Sequence, residues 1–517
     1  MEEDNWKRYS GTLPIEHDAR ERGGNDRYLA GRSVVLVDLN RFTSFPTLAV
    51  GILTAALRAR GCAVRVICPL ALDIPSADRE QEERLWDHLH RRIRLSDYRL
   101  VRWLRDQARA PREWLAQRPR AAVLAAVERA LSDGADAVLL SAYLEHYHTV
   151  KSIGRIAAKR GVPVLLGGPM FNLLEVAGEW RALPGINAVV GGEVEFHLAA
   201  MVEALVSGRS LAGFPGVILP DGTTAVPAPP LRPLDGALFP DFDDFPWDRY
   251  PTRIVPILAG RGCQWDKCTF CSDVISASGR KFRSRSVASV LVEMQVQAER
   301  YNSRDFMFLD LKLNSYPDML RGIARDLRKY VRGAQWIGTV HVDQRRDNGL
   351  SRRDLFAAAA GGMRRISFGL ESGSQRLLDS MQKGCTVEAN EAFLRNAHDA
   401  GISVRCTMFK GYPGETAEDM EATADFLERN ARYIDRIRFN DFSVPLNTPI
   451  HRTLMQKADD PELLRLTRLD PRHAKARYKP QGVTLAYRRA KGRALAVVYE
   501  VNRKRLRSTA RQFDGLM

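Results

Sequence analysis

Apolar and polar positions along this chain form two long stretches of strand-length runs alternating with helical periods. The first opens on Ser33–Leu39 (SVVLVDL), a mostly apolar run of the kind a strand buried on both faces shows. Leu48–Arg60 repeats its apolar residues at helical spacing and Gly61 ends it, glycine being the usual residue just past a helix. Ala63–Cys68 is the next strand and completes a βαβ unit. The rhythm returns with strands at Ala137–Leu140, Val162–Leu166 and Ala188–Val190 and helices at His148–Arg160 and Phe196–Leu205. Residues 33–206 are therefore expected to form a doubly wound α/β sheet of about five strands. Residues 72–134 interrupt it as a charged helical insertion, with Pro75, Pro111 and Pro119 as breaks. Its Trp86, Trp103 and Trp114 fall on apolar faces and are expected in a core. Residues 1–32 read as a flexible arm, and the Pro-, Gly- and Asp-rich 207–250 as a linker.

A second α/β rhythm fills 251–450, with strands near Val255–Leu258, Asp305–Leu309, Trp336–Thr339, Arg365–Phe368, Ser403–Met408 and Arg436–Phe439. Six βα units with long helices predict a partial (β/α)6 barrel whose ligands gather at the strand C-termini. Residues 451–517 remain as an extension.

Composition narrows the class. With 45% hydrophobic and 27% charged residues in 517, the chain is neither wholly disordered nor fibrous. No run of eighteen apolar residues exists, so no membrane span is expected. MEEDNWKRYSG lacks the apolar stretch of a secretory signal, so a cytoplasmic protein is expected. The net charge of +16 is concentrated: residues 471–517 hold thirteen Lys/Arg against Glu500 and Asp514. Such a tail is either solvated or a face for an acidic or phosphorylated group. Tyr478, Tyr487 and Tyr499 within it are expected to pack, and nucleic acid is not an expected partner.

The seven cysteines are an odd number, and Cys263, Cys268 and Cys271 crowd into one polar, glycine-flanked loop, GRGCQWDKCTFCSD. Three close thiols suit a soft metal, with an iron–sulfur cluster the leading option. A structural zinc site wants a fourth Cys or His at similar spacing. Cys406, in a strand, and Cys385, in a turn after Gly384, read as packing residues.

This loop resembles the cluster loop of the radical S-adenosylmethionine (SAM) superfamily, with four residues in the first gap (Gln264–Lys267) where that family usually has three. Phe270 matches the aromatic residue beside the SAM adenine. FLDLKLN, with Asp310, resembles the second-strand motif that holds the SAM amino group. ISFGLESGS and MQKGCT resemble the fourth-strand motif, which implies that Glu371 and Ser372 face the ribose or carboxylate. KGYPGET resembles the fifth-strand turn, with Gly411 in it, and PLNTPI the end of the sixth strand.

The N-terminal sheet lacks G-x-G-x-x-G after its first strand. Its pattern of Ser141, then LLGGP, then VVGGEVE, is similar to the cobalamin-binding domain that precedes many radical SAM cores. The resemblance implies that Ser141, Gly167 and Gly168 hold the nucleotide tail, with Gly192 and Glu193 near it. Asn40 stands where such domains carry a cobalt-ligating histidine, so no protein imidazole is expected on cobalt. His146 and His148 are the alternatives weighed for that role.

Together these resemblances imply a cobalamin-dependent radical SAM enzyme with a [4Fe–4S] cluster, SAM and cobalamin as cofactors. They imply methylation of an unactivated carbon of a small-molecule or peptide substrate, with a flavodoxin or ferredoxin as electron donor. Rearrangement or cyclisation without methyl transfer is the alternative. Methylthiolation of a tRNA needs three further N-terminal cysteines, where only Cys62 and Cys68 occur. A cobalamin carrier without catalysis would leave the cysteine loop idle.

Overall fold

The computed structural model describes residues 27–40, 44–76, 81–279, 281–345, 349–456, 465–479 and 483–516. Most of the expected arm (1–26) and Arg41–Thr43 beside Asn40 lie outside them. The chain forms two compact units. One comprises 1–77, 117–251 and 276–278; the other comprises 78–116, 252–275 and 279–517.

The first unit holds strands β1 (Ser33–Asp38), β2 (Ala63–Ile67), β3 (Ala137–Ser141), β4 (Val164–Gly167), β5 (Ala188–Val190) and β6 (Val217–Ile218), in the order 2-1-3-4-5-6. β1 to β5 run parallel and β6 is antiparallel. Val34–Asp38 are buried, the signature of a strand covered on both faces. The winding reverses between β1 and β3. In sheets of this kind the crevice for a ligand opens there, beyond the strand C-termini. Asp38 and Ser141 face each other in register at that point.

β6, a sixth strand, falls within the stretch expected to be a linker. That stretch is packed: Leu231, Leu234, Phe242 and Phe245 are buried. The Arg58 guanidinium pairs with Asp241 at 3.1 Å and Asp244 at 2.7 Å. Its prolines and glycines punctuate the sequence like a linker, but its apolar side chains anchor it.

The second unit is built on β7 (Ile254–Ile257), β10 (Asp305–Phe308), β11 (Gln335–Thr339), β12 (Met363–Glu371), β13 (Ser403–Lys410) and β14 (Arg436–Asp441). They form a parallel sheet in sequential order. Parallel strands in sequential order, joined by the right-handed crossovers general to such sheets, place their crossover helices on one face. Five of the helices start on Ser286, Ser351, Ser374, Thr386 and Thr416, whose hydroxyls accept from the N–H three residues on. Each such cap contributes about 1 kcal/mol. A two-residue ribbon, β8 (Gly260–Arg261) with β9 (Arg283–Ser284), pins both ends of the cysteine loop.

The expected insertion 72–134 divides. Ala121–Ser132 belongs to the first unit, whereas Leu85–Arg94 and Arg99–Ala116 belong to the second. The turn between those two helices carries Asp97, buried against the ammonium groups of Lys410 (2.9 Å) and Lys491. Trp86, Trp103 and Trp114 are exposed, not core.

The basic extension is a packed layer. β15 (Val444–Pro445), β16 (Arg465–Asp470) and β17 (Lys475–Lys479) form an antiparallel sheet in the order 15-17-16, followed by the helix Leu485–Asn502. Tyr478 donates to the Phe442 carbonyl (2.6 Å) and Tyr487 to Glu415 (2.8 Å). The chain end reaches two buried guanidiniums. Arg436 pairs with Asp514 at 2.8 Å, and Arg365 donates to the Phe513 carbonyl at 2.7 Å. No helix among the described residues is long and apolar enough to cross a membrane.

Candidate functional site

Cys263, Cys268 and Cys271 are all partly exposed and line a cavity of about 280 Å³ at the strand C-termini of the second unit. The loop that carries them is held from several sides. The Asp310 carboxylate, just past β10, accepts from the backbone N–H of Ala259 (3.1 Å) and Gly260 (2.6 Å). Thr269 donates from its backbone to the Met381 carbonyl at 3.0 Å and accepts from the Ile450 N–H at 2.9 Å. Asp266, in the first gap, holds φ +41°. Trp265 folds back onto the turn 381–385: its indole N–H donates to the Gln382 carbonyl at 2.8 Å. Its ring fills the space beside Gly384, where a Cβ would lie 2.1 Å away.

Across the cavity stand Lys312, His341, Asp343, Glu371, Lys383 and Arg405. Lys383 donates to Glu371 Oε1 at 3.0 Å. Burial opposes its charge, but Glu371 together with Cys268 and Cys385 raises its pKa above the ordinary lysine value. Glu371 follows a break in the β12–β13 register and holds φ +62°. Gly369 makes room for it, since a Cβ there would sit 2.0 Å from Glu371 Oε1. A non-glycine residue in this region stores strain, and such residues cluster at functional sites. Lys312 is paired with Asp343, which the Arg345 guanidinium also grips at 2.7 Å. Burial first, then Lys383 and Lys312, hold the pKa of His341 well below the ordinary histidine value, so its imidazole is neutral.

The donor set fits an iron–sulfur cluster. Burial raises the Cys268 thiol pKa, while Lys383 and Lys312 pull it down. Burial and Asp273 push Cys271 up to about 12. A metal that takes the thiolate offsets that burial cost, and Lys312 and Lys383 line the same cavity. Among the described residues no three His, Cys, Asp or Glu side chains converge on one point as a single ion requires. The three thiols line one cavity, and thiolates are the donors an iron–sulfur cluster takes.

The other sequence-derived positions separate. Phe270 and Glu371 line the cavity. Asp310 does not; it clamps the loop, and burial pushes its pKa up to about 7 against those two N–H donors. Ser372 bonds Thr423 (3.0 Å) and the Ser374 N–H (3.1 Å). Gly411, at φ +82°, shapes its turn. Lys312, His341, Asp343, Lys383 and Arg405 were not singled out from sequence. The signal was present in HVD right after a strand and in the lysines within FLDLKLN and MQKGCT.

In the first unit, Ser141 ends β3 and Gly167 ends β4, and a Cβ on Gly167 would meet nothing within 4 Å. That spot is open beside the point where the winding reverses. Gly168 and Gly192 serve internal packing: a Cβ would lie 2.2 Å from the Ala142 carbonyl and 2.4 Å from Ala228 Cβ. Glu193 is buried and accepts from the Leu231 N–H at 2.6 Å. The Asn40 N–H donates to Asp38 at 2.9 Å. His146 Nδ1 accepts from the Tyr143 N–H at 3.1 Å.

Comparison with known proteins agrees with this geometry. Residues 257–427 match the model of the radical SAM superfamily. An uncharacterised methyltransferase of Pyrococcus horikoshii is 28% identical over 302 residues, which cover 57% of this chain and 64% of that protein. The anaerobic magnesium-protoporphyrin IX monomethyl ester cyclase of Rubrivivax gelatinosus is 30% identical over 47% of this chain and 45% of its own. The chain thus spans less than two thirds of either relative. Among solved structures, the radical SAM methyltransferase TsrM of Kitasatospora setae, with cobalamin and a [4Fe–4S] cluster bound, superposes with a TM-score of 0.61. That match has 20% identity and covers 90% of this chain and 91% of that one.

Proposed function

We propose, from the premise that residues 257–427 are a radical SAM domain, that this chain is a cobalamin-dependent radical SAM enzyme that methylates an unactivated carbon. The observation that carries the reading is the thiol-lined cavity bounded by Lys312, Lys383 and Arg405, in a chain whose other unit reverses its winding between β1 and β3, where sheets of this kind bind ligands. When bound, a [4Fe–4S] cluster with SAM supplies a radical able to abstract hydrogen, and cobalamin supplies a methyl group. Cys263, Cys268 and Cys271 are the residues to hold the cluster. Lys312, Lys383 and Arg405 offset negative charge gathered at the cavity. Phe270, edge-on to Phe409 at 5.2 Å, walls it with apolar surface and keeps water from a reactive carbon centre. Ser141 and Gly167 border the crevice proposed for cobalamin. Asn40 in the histidine position supports a site that would hold cobalamin without a protein imidazole. An acidic one-electron carrier such as a flavodoxin or ferredoxin is the proposed reductant.

The test is product stoichiometry in the anaerobic, reconstituted enzyme. Each methylation is expected to yield one 5′-deoxyadenosine and one S-adenosylhomocysteine, with label from SAM methyl in the product. Likeness to a cyclase supports a second reading, ring formation without methyl transfer. That reading wins if 5′-deoxyadenosine accompanies a product free of label. Cobalt(II) paramagnetic resonance of the cobalamin-loaded protein tests this: a nitrogen triplet on the cobalt lines would refute the histidine-free site.

A further inference from the structure

The helical hairpin Leu85–Ala116 turns its apolar side to solvent. Ten of the 23 large hydrophobic residues exposed among the described residues fall between Leu85 and Leu115. In the first helix Leu85, Leu89 and Ile93 repeat every fourth position, with Trp86 beside them at 77% exposure. In the second, Leu100, Trp103 and Leu104 share a face with Trp114 and Leu115 four turns on, each more than half exposed. Patches of this extent are uncommon on monomers without a use.

The hairpin is not loose. Its inner side holds Asp97 between Lys410 and Lys491, and His88 against the Tyr499 ring at 4.7 Å. Exposure of the outer side is thus a property of the folded unit. The charge around the stripe has one sign in excess. Residues 84–116 contain nine arginines and no lysine against Asp87, Asp97, Asp106 and Glu113. Arg92, Arg99 and Arg112 are exposed, and Asp97 is buried and neutralised.

We propose that this hairpin is a peripheral membrane-docking element that lies in the interface of an anionic bilayer. Tryptophans and leucines on one side and arginines along the flanks are the chemistry that binds a headgroup–acyl boundary carrying negative charge. An acidic soluble protein would be served by the arginines without needing so many large apolar residues in water. A span is not involved, since neither helix reaches the length and hydropathy for one.

The full chain, with cofactors reconstituted, is mixed with sucrose-loaded vesicles of equal parts phosphatidylglycerol and phosphatidylcholine, and with vesicles of phosphatidylcholine alone. It is expected to sediment with the first and not the second. The double variant Trp86→Gln, Trp103→Gln keeps all charge, and both sites are exposed, so the fold is spared. It is expected to partition at least about tenfold less, as loss of buried apolar area predicts. Acyl chains brominated near the headgroup are expected to quench tryptophan fluorescence in the parent and much less in the variant. Equal sedimentation of parent and variant would overturn the proposal, because net charge alone would then explain binding. A parent that stays in the supernatant, or a stable dimer that the double substitution dissociates, would overturn it as well; the latter would assign the stripe to a second copy of the chain.

Discussion

Gly384, at φ +70°, leaves its missing side chain's place to the indole of Trp265. Replacing it with alanine imposes a left-handed strain of about 1 kcal/mol and drives a methyl into a ring fixed at its far end by Gln382. The expected outcome of Gly384→Ala is a lowered unfolding midpoint and faster loss of iron from the reconstituted protein, read by chelator release. Trp265→Phe keeps the ring contact and loses one hydrogen bond, about 1 kcal/mol, so its iron loss is expected to be intermediate. Replacing Cys263, Cys268 and Cys271 together with alanine is expected to abolish iron and sulfide binding; retention of either would reassign the ligands. The cysteines were legible in sequence because three thiols in nine residues are rare. Lys312 and Asp343 were not, because a buried pair 31 positions apart becomes a feature only when β10 and β11 lie side by side.

Strand positions followed from apolar runs. Val255–Leu258 as expected and Ile254–Ile257 as found differ by one residue at each end. Elements whose burial depends on distant partners were harder to read. The chain end resembles a solvated basic tail, yet Asp514 serves Arg436 and Arg365, each 1% exposed. Burial pulls the Arg365 pKa down to about 10, a measure of how little water reaches it. Removing one partner of a buried ion pair strands the other, so Asp514→Ala is expected to destabilise by about 3 kcal/mol. Adding Arg436→Met to that variant is expected to recover part of the loss, since an apolar side chain of similar volume needs no counter-ion. Denaturant midpoints of the three proteins check both statements. Sequence order alone assigns the helices Leu85–Arg94 and Arg99–Ala116 to an insertion of the first unit, whereas they belong to the second. Their inner contacts, Asp97 above all, lie more than 300 positions away.

Stability of the whole molecule carries a pH dependence from Glu415. Burial raises its pKa from 4.5 to about 7, against donors on Gly411 and Tyr487. A carboxyl with a raised folded pKa keeps its proton while the unfolded chain has lost it. Its contribution is present below about pH 4.5 and is lost as pH rises through 7. With allowance for partial exposure, the loss is about 1–3 kcal/mol. Glu415→Gln is expected to flatten the fall in unfolding midpoint between pH 5 and 7, about the window those pKa values bracket. An unchanged slope would place the titration elsewhere.

The cysteine loop follows an edge strand, β7, and the bond from the Ile450 N–H to the Thr269 carbonyl ties it to chain that comes after the opposite edge, β14. On a ribosome these two residues emerge 181 positions apart, roughly 10 to 40 seconds at ordinary elongation rates. Throughout that interval the three thiols are present without the neighbour that fixes their loop. A nascent chain halted before Ile450 therefore carries all three thiols on a loop that lacks this tie.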